Sequence, residues 1–340
     1  MSIWFETQPK TRLGMKMGFS FLRFVLVLLA LTAVAEAKQE KLYRVGVLML
    51  NKPERPHVQA LRDGLEKAGY IEGKNLLLNM EQRKNIDELR SAAKMFVQQK
   101  FHVIVANSNI ETGVAQQETP EIPIVFMPAS APVRAGFVKS LARPGTNLTG
   151  VTYYTDYREN GKQLEIFKEV VPSLRRLVIL IDAGAHQPVD EPSLALVRKV
   201  AAHRGIQLTE KPVNSLLEAE QAVSSLPRHA AHGLHVTCTG LFSNIKKIGM
   251  VAVKKNIPLY GCATGHVIHD GALFAYAPDL YQMGLRAAWY VDRILKGTKP
   301  QDLPVETPRK FEFAINLKTA EAIRLNIPPE VLQRADKVIK

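Results

Sequence analysis

The sequence lacks the short motifs by which several large enzyme classes are recognised. No G-x-G-x-x-G follows the first predicted strand, where residues 50–54 read LNKPE, so the chain offers no close backbone approach to a pyrophosphate. Neither the phosphate-cradling G-x-x-x-x-G-K-[ST] nor the nucleophile elbow G-x-S-x-G occurs in the 340 residues. The dinucleotide, P-loop and hydrolase interpretations therefore lose their main support, and we expect no cofactor.

Basic runs interleaved with aromatic residues are also lacking, although the formal charge is +13. A basic surface can attract nucleic acid or an anionic membrane face, but here the charges are scattered along the chain. We interpret them as a solvated surface and expect no nucleic-acid partner. The two cysteines, Cys238 and Cys262, each lie in an apolar segment typical of a strand. They either pair in an oxidising compartment or remain buried thiols, and the sequence leaves both open.

The H-E-x-x-H pattern of zinc enzymes is missing as well. Histidines occur instead in two loose groups, which are His229, His232 and His235, and His266 and His269. Imidazoles are common metal ligands, but Gly233 would interrupt a helix that held two rings of the first group on one face. We interpret both groups as surface or loop histidines and expect no metal site.

The sequence does contain an N-terminal export pattern. A basic opening precedes the apolar residues 24–35, and a small-x-small site ends at Ala37. This apolar segment is too short for a membrane span, which needs about 20 residues. We therefore predict a signal peptide over residues 1–37, cleaved after Ala37, and a periplasmic protein. A retained N-terminal anchor is the alternative, whereas the lack of a nearby cysteine argues against a lipid-modified N-terminus.

After the signal about 300 residues remain, which suits two lobes of roughly 150 residues each. From residue 43 onward, short apolar runs alternate with amphipathic helical patterns, for example a strand at 103–106 and a helix at 112–118. A second series begins after residue 150 and includes a strand at 233–239. The alternation predicts βαβ units and an α/β fold with two doubly wound parallel-sheet lobes.

Polar residues lie at or just beyond the ends of several predicted strands. Ligands bind beyond the carboxyl ends of strands in open α/β sheets, so these residues form a candidate ligand-binding set. In the first series they are Asn51, Asn107, Ser108, Asn109 and Ser130, and in the second they are Asp182, Thr239, Tyr276 and Asp279. A Ser, Thr or Asn at such a junction can instead be a helix cap, and Ser108 has this alternative in particular. Clustering at one edge of both sheets favours a shared cleft.

Seven stretches of the chain carry a family resemblance. They are residues 69–75 (GYIEGKN), 122–126 (IPIVF), 140–151 (SLARPGTNLTGV), 290–306 (YVDRILKGTKPQDLPVE), 315–320 (INLKTA), 327–329 (IPP) and 334–336 (RAD). With them the chain, from about residue 43 to residue 339, resembles the ABC transporter substrate-binding proteins. These are the periplasmic solute receptors of ATP-driven importers, in the group whose characterised members bind tryptophan or tyrosine. The motifs are specific for the family and not for the ligand.

The resemblance implies the type I periplasmic-binding-protein fold, in which a three-segment hinge joins two lobes. The implied N-terminal lobe comprises residues 41–152 plus 279–303, and the C-terminal lobe comprises residues 153–278 plus 304–340. One departure concerns Ala131, since family members commonly carry an Asp before the Pro-Val pair. If that Asp contacts a ligand ammonium, its absence here counts against an amino-acid ligand. Alternatively, the Asp caps a helix in those proteins, and Ser130 replaces it as the cap in this chain.

We also expect particular roles for the candidate residues. Asn107, Ser108, Asn109 and Ser130 would donate hydrogen bonds to a carboxylate or other polar group, helped by helix N-termini, and Asp182 would partner an ammonium. Three tyrosines at the predicted crossings between lobes could stack on a ligand ring, with core or hinge packing as the alternative; they are Tyr153, Tyr154 and Tyr276.

We expect a non-enzymatic, monomeric receptor that captures a small solute in the interlobe cleft and delivers it to the membrane permease of an ABC importer. The resemblance suggests an aromatic amino acid as the solute. An exported sensing domain that signals through a partner protein is the alternative, and the sequence does not separate the two.

Overall fold

The computed structural model describes residues 1, 2, 4, 41–50, 56–153, 158–184, 191–239 and 241–340. Apart from residues 1, 2 and 4, the predicted signal segment lies outside the described residues, and so do the candidate site residues Asn51 and Tyr154. Among the helices that are described, none is long and apolar enough to cross a membrane.

Strands and helices alternate along most of the described chain. The strands are β1 (Tyr43–Leu50), β2 (Leu76–Arg83), β3 (Val103–Ala106), β4 (Ile124–Ala129), β5 (Leu148–Thr152), β6 (Arg176–Asp182), β7 (Gln207–Val213), β8 (Gly233–Val236), β9 (Leu259–Gly261), β10 (Phe274–Pro278), β11 (Phe311–Asn316) and β12 (Lys337–Ile339). The helices are α1 (Pro56–Lys67), α2 (Ile86–Gln98), α3 (Asn109–Glu118), α4 (Arg158–Val170), α5 (Glu191–His203), α6 (Leu216–Ser224), α7 (Lys246–Lys254), α8 (Thr264–His269), α9 (Leu280–Leu295), α10 (Leu317–Ala322) and α11 (Pro329–Gln333).

The first lobe is built on a five-stranded, all-parallel sheet with the order β2-β1-β3-β4-β5. The central strands β3 and β4 are apolar along their whole length, as in the fully buried VIVA of β3, because helices cover both faces of a parallel sheet. Strand order reverses between β1 and β3, so the loops after these two strands diverge and leave a crevice at the carboxyl edge.

The second lobe repeats this topology and extends it. Its seven strands have the order β7-β6-β8-β9-β10-β11-β12, in which the first five follow the order of the first sheet. Only β10 and β11 run antiparallel, and the other neighbours are parallel. The reversal of strand order lies between β6 and β8. The predicted α/β fold with two parallel-sheet lobes is therefore confirmed.

Local side-chain hydrogen bonds start two of the helices in a similar way. The Asn85 side chain accepts from the Glu88 N–H at 2.9 Å, and the Glu88 carboxylate accepts from the Lys84 N–H at 3.1 Å. At α6 the Ser215 hydroxyl accepts from the Glu218 N–H at 3.1 Å, and Glu218 accepts from Asn214 N–H at 2.8 Å. Such boxes satisfy amide groups that the first helical turn leaves without partners.

The chain passes between the lobes three times. It leaves the first sheet after β5, returns after β10 so that α9 packs against α1 in the first-lobe core, and leaves again before β11. The crossings run beside each other, since Val151 forms a parallel bridge with Glu306 and the Asp279 N–H donates to the Lys310 carbonyl at 3.1 Å. The exact lobe boundaries stay a prediction.

Several predicted elements differ from the structure. The strand predicted at 233–239 is wrong at its end, because β8 stops at Val236 and the chain turns there. The helix predicted at 112–118 begins earlier, at Asn109, behind its Ser108 cap. β5 was not predicted, because Thr149 and Gly150 weaken its apolar pattern. α8 was not predicted either, because it has only six residues and no side-chain cap.

Candidate ligand-binding site

The carboxyl edge of the first sheet brings polar residues from three elements together at the β1/β3 reversal. Asn107 and Ser108 directly follow β3, His57 lies in the first turn of α1, and Glu111 lies in the first turn of α3. Three of these residues are almost fully enclosed, with exposed fractions of 0% for His57, 3% for Glu111 and 4% for Asn107. Buried polar groups require hydrogen-bond partners, and the partners here are mostly one another.

Glu111 joins the ends of β1 and β3 across this reversal. One carboxylate oxygen accepts from the Leu50 N–H at 2.8 Å, and the other accepts from the Ser108 hydroxyl. A carboxylate in the first turn of a helix is also favoured by the helix dipole. The chain therefore supplies its own anion beside the N-terminus of α3.

Ser108 is the N-cap of α3. The structure thus shows the helix-cap alternative that the sequence left open for this residue. Its hydroxyl oxygen accepts from the Ile110 N–H at 3.2 Å, and its carbonyl accepts from the Thr112 hydroxyl at 2.6 Å. Because the hydroxyl hydrogen points to Glu111, Ser108 has no donor left for a ligand. A role as a hydrogen-bond acceptor stays open to it.

Asn109 and Ser130 are brought together as a reciprocal pair. The Ser130 N–H donates to the Asn109 side-chain oxygen at 2.7 Å, and the Asn109 amide donates to the Ser130 carbonyl at 3.0 Å. This pair ties the loop after β4 to the start of α3. Ala131, which follows, has a φ of 46° in the left-handed region, where Asp and Asn are better tolerated than Ala. An Asp at this position would therefore suit the backbone better than Ala131 does.

The carboxyl edge of the second sheet brings Asp182 and Thr239 together at the β6/β8 reversal. The Thr239 hydroxyl donates to one Asp182 carboxylate oxygen at 2.7 Å, and the Gly184 N–H donates to the other at 3.1 Å. The Thr237 hydroxyl accepts from the Asp182 N–H at 3.1 Å. Asp182 is 8% exposed, so this edge presents a nearly buried carboxylate with a fixed orientation.

A disulfide between Cys238 and Cys262 lies beside this pair, with the two Cα atoms 5.4 Å apart. It joins the loop after β8, which carries Thr239, to the loop after β9. The Cys262 carbonyl accepts from the Tyr153 hydroxyl at 3.2 Å, and the Tyr153 ring packs on the first-lobe core. This hydrogen bond therefore connects the first crossing to the second-lobe edge.

Tyr276 and Asp279 belong to the second crossing rather than to these two edges. The Tyr276 ring stacks on Phe311 with centroids 5.2 Å apart, and the Lys162 amine lies 5.1 Å from its centroid and 3.1 Å from its hydroxyl. The Asp279 carboxylate accepts from the Gln282 N–H at 3.1 Å and so caps α9. These contacts favour the hinge-packing alternative for Tyr276.

Three of the histidines considered for metal binding, His232, His235 and His266, have structural partners. His232 accepts from the Arg175 N–H at 3.2 Å, and the His266 ring accepts from the Cys262 N–H at 3.1 Å. His235 stacks on Tyr260 with centroids 4.6 Å apart, and burial lowers the pKa of His235 to about 4. Within the part of the chain that the structure describes, no group of three or more His, Cys, Asp or Glu side chains could hold a metal ion.

Sequence reasoning missed the three residues that orient the candidate set, which are His57, Glu111 and Thr237. Each acts through another side chain or a backbone amide, and their sequence separations from those partners range from 3 to 61 residues. The only local signal was an acidic residue in the first turn of α3. Contacts of this kind depend on strand order, which spacing alone does not reveal.

Comparison with known proteins gives consistent matches over nearly the whole described chain. A family model described as "ABC transporter substrate binding protein" matches residues 47–339. A tyrosine-binding protein of Clostridioides difficile (strain R20291) is 28% identical over 294 residues, which cover 85% of this chain and 82% of that protein.

Solved structures share the fold. A conserved domain protein from Vibrio cholerae has a TM-score of 0.77 at 27% identity, covering 88% of this chain and 99% of that one. The ABC domain from Streptococcus pneumoniae, solved in complex with L-Trp, has a TM-score of 0.79 at 21% identity, covering 88% of this chain and 100% of that one.

Proposed function

This chain belongs to the family of ABC transporter substrate-binding proteins, and we propose that it is an exported receptor that captures an aromatic amino acid between its two sheet edges. The proposal includes delivery of that solute to a membrane permease of an importer. The family is one of solute-binding proteins, and the candidate set accordingly contains groups that bind and orient. The tyrosine-binding relative supports the ligand class.

The observation that carries the proposal is the meeting of Asp182 and Thr239 at the second-lobe edge. They are 57 residues apart in sequence, yet their side chains lie 2.7 Å apart at the β6/β8 reversal, where ligands of open α/β sheets bind. A carboxylate that is held by two donors and is nearly buried suits an ammonium group. The facing donors of the first lobe, Asn107 and Ser130, suit a carboxylate.

The test is a binding series with the purified chain, unfolded and refolded to remove carried-over solute. Tyrosine, tryptophan and phenylalanine are compared with small carboxylates, purines and sugars by thermal shift. A ligand at a hundred times its dissociation constant adds about 2.7 kcal/mol of stability. Stabilisation by aromatic amino acids is expected, and stabilisation by another class alone would keep a receptor but refute the proposed ligand.

Replacing Asp182 by Asn should weaken binding of L-tyrosine about a hundredfold, because an ammonium loses its charge partner in a nearly dry site. Binding of the deaminated analogue 3-(4-hydroxyphenyl)propionate should change much less. Asp292→Asn is the matched control, since Asp292 accepts from the Tyr70 hydroxyl at 3.1 Å in the first lobe, on α9. Equal losses for the amino acid and its analogue would contradict the assigned role of Asp182.

A further inference from the structure

We propose that His57 is a positioning residue that turns the Asn107 carboxamide so that its NH2 group faces the ligand. This inference rests on the proposed function and extends it in one respect. It specifies that Asn107 presents a hydrogen-bond donor, and not an acceptor, to the ligand. The imidazole Nε2 of His57 donates to the Asn107 Oδ1. Both side chains lie beyond the carboxyl ends of the strands that flank the first-lobe crevice.

The position of His57 is fixed by tight backbone packing. Pro56 and His57 open α1, and α9 crosses directly behind them. A Cβ atom at Gly284 of α9 would lie 2.1 Å from the His57 carbonyl oxygen, which means that the two helix backbones approach as closely as glycine allows. His57 is 0% exposed, so its ring has little freedom to leave Asn107.

The orientation of Asn107 follows from the atoms of a carboxamide. It has one oxygen that accepts and one NH2 group that donates. With the oxygen held by His57, the NH2 group is directed away from His57, and no described residue accepts a hydrogen bond from it. The reverse orientation would present an oxygen to the ligand and repel a carboxylate.

Asn107 matters because two neighbouring side-chain donors among the described residues of this edge are engaged. The Ser108 hydroxyl donates to Glu111, and the Asn109 amide donates to Ser130. Glu111 itself is an anion beside the α3 N-terminus and disfavours a second carboxylate there. Among the described side chains of the first lobe, recognition of a ligand carboxylate therefore depends mainly on Asn107, with the Ser130 hydroxyl beside it.

The test compares His57→Leu with His57→Gln, whose side-chain nitrogen can replace the imidazole Nε2 as donor. His57→Leu should weaken binding of L-tyrosine about thirtyfold, the value of one hydrogen bond to a charged group. Binding of L-tyrosinamide, which has no carboxylate, should fall much less. His57→Gln should recover most of the lost affinity, and Asn107→Asp should reduce tyrosine binding more strongly than tyrosinamide binding.

His102→Leu is the matched control. His102 directly precedes β3, whereas Asn107 follows it, and its ring accepts from the Arg44 N–H at 3.0 Å. Its replacement should lower stability without changing the preference for tyrosine over tyrosinamide. Unchanged preference in His57→Leu, or equal losses in His57→Leu and His57→Gln, would overturn the positioning role.

A second measurement needs no ligand. Nitrogen-15 NMR of histidine-labelled protein should show the proton of His57 on Nε2, with the resonance identified by its loss in His57→Gln. A proton on Nδ1 alone would overturn the proposal, whether or not the chain binds tyrosine. Failure of the wild-type chain to bind any aromatic amino acid would instead refute the proposed function.

Discussion

At the scale of single residues, the buried polar side chains of the two sheet edges form hydrogen bonds mainly with one another and with nearby backbone amides. Glu111 orients Ser108 and the end of β1, His57 orients Asn107, and Thr237 fixes the backbone of Asp182. Among the described residues, these contacts hold the candidate side chains Asn107 and Asp182 in fixed orientations. Such preorganisation lowers the cost of ordering a site when the ligand binds.

His235 gives a pH dependence of stability at this scale. Burial of its ring in β8 lowers its pKa from the ordinary 6.5 to about 4, against an opposing hydrogen bond to the Tyr260 carbonyl. The unfolded chain therefore takes up a proton at a higher pH than the folded chain does. The stability due to neutral His235 is complete above about pH 6.5 and is lost as the pH falls toward 4.

From pH 7 to pH 5 the free energy of unfolding should fall by about 2 kcal/mol through His235. The measurement is urea unfolding at pH 7, 6 and 5 for the wild-type chain and for His235→Phe, which keeps a ring against Tyr260. The variant should lose less stability over this interval. Identical pH profiles for the two proteins would exclude this role of His235.

At this scale, the sequence predicted which residues come together where their positions depend only on the ends of strands. Asp182 was placed after one predicted strand and Thr239 at the end of another, and the parallel sheet brings their side chains to 2.7 Å. Asn109 and Ser130 were placed in the same way and form a pair. The ring contacts of Tyr276 with Phe311 were not predictable, because they depend on the antiparallel pairing of β10 and β11.

At the scale of elements, the third crossing is attached to the edge of the first sheet. The Thr149 hydroxyl donates to the Leu303 carbonyl at 2.7 Å, and the Glu306 N–H donates to the Gly150 carbonyl at 3.1 Å. Gly150 has a φ of 149°, and a Cβ atom there would lie 2.2 Å from the Phe126 carbonyl oxygen. Two of the family stretches, residues 140–151 and 290–306, therefore meet in one structural unit.

An ion pair holds this crossing to α9. Arg286 donates to the Glu306 carboxylate with both its Nε, at 2.8 Å, and a terminal nitrogen, and its guanidinium lies 3.6 Å from the Trp289 ring centroid. Arg286 belongs to the helix that returns to the first lobe, and Glu306 belongs to the segment that leaves it. A bidentate, stacked Arg is more rigid than an exposed ion pair.

The disulfide provides the prediction at the element scale. It closes a loop of sequence separation 24, and the chain-entropy model gives about 3.5 kcal/mol of stabilisation for a loop of this size. Reduction should lower the melting temperature of the wild-type chain, because the loops after β8 and β9 are then joined only through the sheet. Cys238 is exposed, so a phosphine reductant can reach it.

The control is a double variant with Ala at positions 238 and 262. It should melt at a lower temperature than the oxidised wild-type chain and should not respond to the reductant. If reduction leaves the wild-type melting temperature unchanged, the disulfide contributes nothing to stability. A bridge of this kind also fits an exported protein, since disulfides persist in oxidising compartments.

At the scale of the whole molecule, one strand order is used twice, and each copy has a carboxyl edge with a buried acid. Repetition of the βαβ pattern was visible in the sequence because period and length identify such units. The return of α9 to the first lobe was not visible as a pattern. The family resemblance supplied it, since non-local packing leaves no periodic signal.

The three crossings give the molecule a means to bring the two edges together. Each passes a short segment between lobes, and the segments are hydrogen-bonded side by side through Val151 and Glu306 and through Asp279 and Lys310. Lobes of this construction move as rigid bodies about a few residues. Asp182 in one lobe and Asn107 in the other would then contact opposite ends of one solute.

Isothermal titration of the refolded chain with L-tyrosine tests this central claim most directly. We predict one binding site per chain with a dissociation constant in the micromolar range or below, and weakened binding both in Asn107→Asp and in Asp182→Asn. If a substitution in either lobe weakens binding, the two edges share one ligand. No heat of binding with tyrosine, tryptophan or phenylalanine, or an effect confined to one lobe, would contradict the account.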